Sequence, residues 1–205
     1  MTLLLILSLI FIILAIVSAV RGSYGERFDV YFFTMVVLAA VAAILPIRHM
    51  LFEHRLAVAA EQLIGHEQVI VDCNSYFDSI FHLGAAGFVY RGSGVINLEV
   101  RTCDRLRDYL DNPSAAGPNE RYSLHVLTHE AMHVAGVYDE ILTDCKAFQR
   151  NHKTASLLGV AGNIAVWHAR EIHRSRSPQH PYYSAECEPG GPMDDKLPGA
   201  VWKGP

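Results

Sequence analysis

In the stretch THEAMHVAGVYDEILTDC, residues 128–145, His129 and His133 stand one helical turn apart, with Glu130 beside the first. On a helix such a pair shares a face, so both imidazoles can offer ring nitrogens to one metal ion. A carboxylate next to the first ligand leans toward the same open side, where it can take a proton from a metal-polarised water. Gly136 stops the helix just past the second histidine and lets the chain turn back. Asp139 then has the character of a cap for a second helix, which begins with EILTDCKAF.

The segment Glu140–Phe148 resembles the E-x-x-A-D-x-x-A pattern that supplies the third zinc ligand in gluzincin metallopeptidases, including membrane-attached ones. The resemblance implies Glu140 as that ligand and Asp144 as the group supporting a ligand histidine. Ala147 stands at the small-residue position, and Thr143 replaces the usual alanine. His129–Asp139 also spells H-E-x-x-H-x-x-G-x-x-D, which is similar to metzincins that use aspartate as third ligand; Asp139 is therefore the alternative. Metzincins need a methionine turn, and Met193, in GGPMDD, is the only downstream methionine. Either likeness is confined to residues 129–148. It implies a zincin-type site with His129, His133 and Glu140 on Zn2+, Glu130 as general base, and a peptide or protein as substrate. His125, one turn before His129, is either a fourth ligand or a donor behind the site. Tyr138, His152 and His168 are weighed as oxyanion donors against plain structural roles. A retained Glu130 favours hydrolysis; a closed site with His125 or Asp139 as fourth ligand would favour a non-catalytic, membrane-tethered structural or binding domain.

The elements that must position these residues follow from hydrophobic patterning. Just over half the chain is apolar, 51% by residue type, and the excess is concentrated at the start. Residues 2–20 and 30–47 carry no charge. At ~1.5 Å per residue each run extends about 27–28 Å, close to a bilayer's hydrocarbon thickness. They read as a transmembrane helical hairpin over 1–47, joined by the polar connector Arg21–Asp29. A cleaved leader ending at Val17-Ser18-Ala19 is the rival for the first run, although MTLLL lacks a basic start. Residues 48–66 have helical spacing and continue outward as a linker helix; 67–205 form the zincin-like domain.

Within that domain, residues 68–73 and 87–90 are β-type runs, Phe77–Leu83 is ambiguous, and 95–100 follows the turn Arg91-Gly92-Ser93-Gly94, which implies a hairpin. The 95–100 run is expected as an edge strand on which extended substrate could pair. Helices are expected over 103–110, 121–135, 140–152 and 155–173, with a loop at 111–120 and an irregular tail from Ser175. The basic run Trp167–Arg176 reads as a solvated helix face, with lipid headgroups as the alternative. The predicted class is α+β: the hairpin, then a short antiparallel sheet with helices.

Cys73, Cys103, Cys145 and Cys187 all lie beyond the second apolar run and form no C-x-x-C pair. They suit two disulfides, which persist outside the reducing cytosol; four buried thiols is the alternative. Four cysteines allow three connectivities. Of these, 73–103 would cross the hairpin region and 145–187 would pin the tail beside the ligand helix. Disulfides place residues 48–205 on the extracytoplasmic side of a cell membrane, with the bilayer as one partner and an envelope protein as another. Residues 48–205 are mildly acidic, with no basic run of the kind that binds nucleic acid and no phosphate-binding glycine loop, so nucleic acid is not an expected partner.

Overall fold

The computed structural model describes residues 2–21, 30–65, 68–73, 85–199 and 201–202. The Phe77–Leu83 run and most of the 21–29 connector lie outside them. The chain divides into two compact units, Met1–Phe52 and Glu53–Pro205.

The first unit holds α1 (Thr2–Arg21) and the beginning of α2 (Val30–Ile64). The two helices pack through small residues: Ala15 and Ala39 are buried, and the Ser8 hydroxyl donates to the Ala39 carbonyl at 2.9 Å. A hydroxyl among apolar side chains needs such an acceptor, and small contact residues are what close helix approach in a bilayer selects. Their outer faces expose large apolar side chains, Leu3, Leu9, Ile16, Phe33, Val37 and Leu45 among them. Both helices are long and apolar enough to cross a membrane.

α2 is one continuous helix and retains Pro46 in its interior. The linker helix is therefore the end of the second apolar helix. That end is not a free spacer. Within the second unit Leu56, Ala57, Ala59 and Ala60 are buried. Glu53 accepts from Cys73 N and Glu61 from Val69 N, each at 2.9 Å. Arg55 donates to the carbonyl of Leu158. Gly65, at φ +67°, ends the helix in the left-handed conformation that glycine adopts without strain.

The sheet comprises β1 (Ile70–Cys73), β2 (Gly87–Val89) and β3 (Val95–Leu98) in the order β1-β3-β2. β2 and β3 form the expected antiparallel hairpin, but β1 joins β3 in parallel, so the sheet is mixed. β3 is consequently the central strand, and the 95–100 run is not an edge. It also stops at Leu98, because α3 (Val100–Asp111) begins two residues later. A disulfide from Cys73 at the end of β1 to Cys103 in the first turn of α3 fastens this corner.

The remaining helices are α4 (Pro118–Val134), α5 (Glu140–Leu157) and α6 (Gly162–Arg174). α4 starts earlier than expected because Pro118, with its φ preset, occupies the first turn; part of the 111–120 loop is a 3-10 turn, Pro113–Ala115. The 155–173 helix is broken: α5 ends at Leu157, and Gly159 at φ +85° reverses the chain before α6. Leu98, Leu106, Leu124, Leu127, Ala147 and Ala169 are fully buried where these elements meet.

His168 belongs to this core. It is fully buried and its Nδ1 shares a hydrogen bond with the Tyr109 hydroxyl at 2.8 Å. Burial, reinforced by the nearby Arg121 charge, lowers its pKa to about 4. A histidine that stays neutral when folded but protonates near ~6.5 when unfolded gives its full contribution above that value. The contribution is lost as pH falls toward 4, because the unfolded state takes up the proton. Urea denaturation at pH 7 and pH 4.5 should show a smaller stability loss in His168→Phe than in wild type; an identical loss would remove His168 as a cause.

Candidate metal centre

α4 carries His129 and His133 on one face, and the chain leaves it through Gly136 at φ +89°. The reversal places the Val137 carbonyl 2.7 Å from His133 Nδ1, which donates to it, so Nε2 of that ring keeps a free lone pair. Asp139 then caps α5, its side chain accepting from Leu142 N at 2.8 Å. Thr143 donates to the Asp139 carbonyl at 2.7 Å, a bond that an alanine at this position would lack. The next residue after the cap, Glu140, swings its carboxylate toward the histidines.

Two clusters here can hold a metal ion. One is buried: His125, His129 and Asp144. The other is His129, His133 and Glu140, which is partly open to solvent. In the open cluster, His129 Nε2 lies 3.1 Å from His133 Nε2 and 3.1 Å from Glu140 Oε2, and His133 Nε2 lies 3.4 Å from the same oxygen. Ligands at ~2.0–2.1 Å on a tetrahedral zinc are about 3.3 Å apart. The triangle therefore has the edge lengths of a zinc-ligand face.

In the buried cluster His125 Nε2 donates to Asp144 Oδ1 at 2.8 Å, and His129 Nδ1 lies 3.5 Å from that oxygen. Burial alone would raise the Asp144 carboxyl, but the hydrogen bonds from His125 and His129 outweigh it and hold the group well below the usual carboxylate range. Burial lowers the affinity of His129 for its proton; the hydrogen bond to Asp144 and the charges of Glu130, Asp144 and Glu140 overcome that, and the net shift is upward.

Glu130 is buried, and its Oε2 has no hydrogen-bond partner. Burial pushes its carboxyl up to about 7, with His129 opposing and Glu140 adding to the rise. β2 passes directly against this side chain. A Cβ on Gly87 would sit 2.9 Å from Glu130 Cγ and 3.1 Å from Oε1, so only glycine allows the approach. These groups open on a cavity of about 590 Å³, bounded by Gly87 and Phe88 on one side and by Tyr182 and Tyr183 on the other. Because β3 is central, the strand bordering the cavity is β2.

The sequence-predicted residues separate clearly. His129, Glu130, His133, Glu140 and Asp144 come together around one cavity. Asp139 does not join either cluster; its carboxylate is used at the start of α5. Met193 offers its backbone carbonyl to the Gln149 amide at 2.9 Å and is not among the cavity-lining residues. Tyr138 borders the cavity with Arg91 over its ring at 4.7 Å, whereas His152 and His168 are not among the lining residues. Arg176, at the end of the basic run, is not on a solvated face: it packs over Phe148 and Tyr183 and pairs with Glu188.

Cys145 and Cys187 are bonded, and the tail passes over the site. Tyr182 lies nearly parallel to the His129 ring, 5.9 Å between centroids. The 145–187 pairing pointed to the tail's position, but nothing in SPQHPYY singled out Tyr182. Nor did the sequence single out Gly87, whose approach to Glu130 depends on contact between distant segments. No family model, no curated protein and no solved structure matches the chain.

Proposed function

We propose that the protein is a membrane-anchored zinc metallopeptidase whose catalytic domain lies outside the cytoplasm. The observation carrying this reading is the triangle of His129, His133 and Glu140, sized for a zinc face, with the unpartnered carboxylate oxygen of Glu130 next to it. The 2.8 Å separation of His125 and Asp144 suits a hydrogen bond better than two ligands of one tetrahedral ion, so the buried cluster backs the site. Two candidate membrane helices supply the anchor, and two disulfides fit an oxidising compartment.

When bound, zinc would supply a water of lowered pKa and polarise a carbonyl. The chain's own groups do the rest. His133 is held by Val137 O and His129 is backed by Asp144, which fixes the rings with Nε2 forward. Glu130, desolvated and with a pKa near neutrality, accepts the water's proton and returns it to the departing amine. Gly87 keeps the cavity wall from displacing that carboxylate.

Full-length protein purified in detergent without chelator should contain one zinc per chain and cleave members of a mixed peptide library. A zinc chelator should stop cleavage, and added zinc should restore it. Zinc-loaded protein that cleaves no peptide would defeat the enzyme reading and leave a tethered binding domain.

A further inference from the structure

Behind the ligand face, polar side chains continue inward along a single line. The Asn151 amide lies 3.1 Å from His125 Nδ1, His125 Nε2 lies 2.8 Å from Asp144 Oδ1, and that oxygen lies 3.5 Å from His129 Nδ1. His125 and Asn151 are buried, Asn151 completely. The His125 ring is stacked on Phe148, 4.4 Å between centroids and 18° from parallel. Neither residue is explained by apolar packing alone, since an unmatched polar group in this position would be costly.

We infer that His125 and Asn151 are positioning residues for the metal, acting through Asp144 on His129. An ionised carboxylate only accepts, so His125 must carry its proton on Nε2 to satisfy Asp144. That leaves a lone pair on Nδ1, which needs a donor. The Asn151 N–H supplies it, at the expense of an unpartnered Asn151 Oδ1. The reverse amide orientation would leave two acceptors, His125 Nε2 and Asp144, facing each other. Asn151 therefore sets the tautomer of His125, and His125 holds one oxygen of Asp144 in place. Asp144 in turn keeps His129 protonated on Nδ1, with the Nε2 lone pair turned toward His133 and Glu140. The Phe148 ring fixes the plane of His125 so that this chain has one geometry.

This inference rests on zinc being bound by His129, His133 and Glu140, and its test separates the two. Zinc affinity of the full-length chain would be measured by competition with a chromophoric chelator, beside melting temperature. His125→Phe keeps the volume and the stacking but removes the donor; it should bind zinc ~10–100-fold more weakly, the range for outer-shell partners. His125→Gln restores an N–H and should recover part of that loss. Asn151→Leu, nearly isosteric, should weaken zinc in the same direction, and it decides the matter if His125→Phe fails to fold. Unchanged zinc affinity in folded His125→Phe and Asn151→Leu would overturn the inference and leave the metal reading intact. Complete loss of zinc in His125→Phe, with zinc retained in His133→Ala, would make His125 a ligand and overturn both.

Discussion

Glu130→Gln should keep its zinc and its fold and lose peptide cleavage by ~10²–10⁴-fold, the usual contribution of a general base. The substitution is nearly isosteric, and glutamine cannot accept a proton at neutral pH. It enters a site where the existing carboxylate has an unpartnered oxygen and where burial already pushes the acid up to about 7. A neutral amide there is no harder to desolvate than the carboxylate it replaces, so the melting temperature should not fall. Gly87 packs closely against the Glu130 side chain, so alanine would leave a void there, which is why the amide is a cleaner test. Loss of activity with loss of zinc would mean that Glu130 holds the metal centre together and does not serve as its base. Undiminished cleavage would place the base elsewhere.

The parts of the structure legible in the sequence were those set by local chemistry. Two uncharged runs became α1 and α2, the Gly92-containing turn became the β2–β3 hairpin, Gly136 ended α4, and Asp139 capped α5. These features depend on residues within a few positions of one another, and helix spacing alone brings His129 and His133 together. The disulfides joined the cysteines in one of the three available connectivities.

What escaped depended on distant segments. β1 pairs with β3 in parallel, and no turn signal announces a parallel partner. That single pairing moved β3 to the centre and gave β2 the border of the cavity. α5 and α6 share a helical spacing through Leu158–Val160, so only the positive φ of Gly159 distinguishes two helices from one. Gly87 looks like an ordinary strand-end glycine until Glu130 is packed against it. Asn151 looks like one more polar residue on a helix until it is found completely buried beside His125. The capping role of Asp139 was visible in advance, and it bears directly on the ligand choice. A carboxylate bound to Leu142 N at the start of α5 is already engaged, while Glu140, one position on, is free to face the histidines.

That difference makes the ligand set testable by three alanine substitutions with unequal consequences. His133→Ala should abolish zinc binding, because its Nε2 forms one corner of the triangle and, among the described residues, His129 is the other imidazole in that group. Glu140→Ala should weaken zinc by more than the ~10–100-fold typical of outer-shell changes, since it removes the one anionic ligand. Asp139→Ala should cost about 1 kcal/mol of stability as a lost helix cap and leave zinc bound. If Asp139→Ala released zinc more readily than Glu140→Ala, the metzincin-like ligand set would stand instead. If zinc remained stoichiometric in both His133→Ala and Glu140→Ala, the ion would have to sit in the buried cluster of His125, His129 and Asp144, the only group of this kind that contains neither residue among those described. A metal enclosed there, with no ligand on the open side, would have no position for a water near Glu130, and hydrolysis would lose its structural basis.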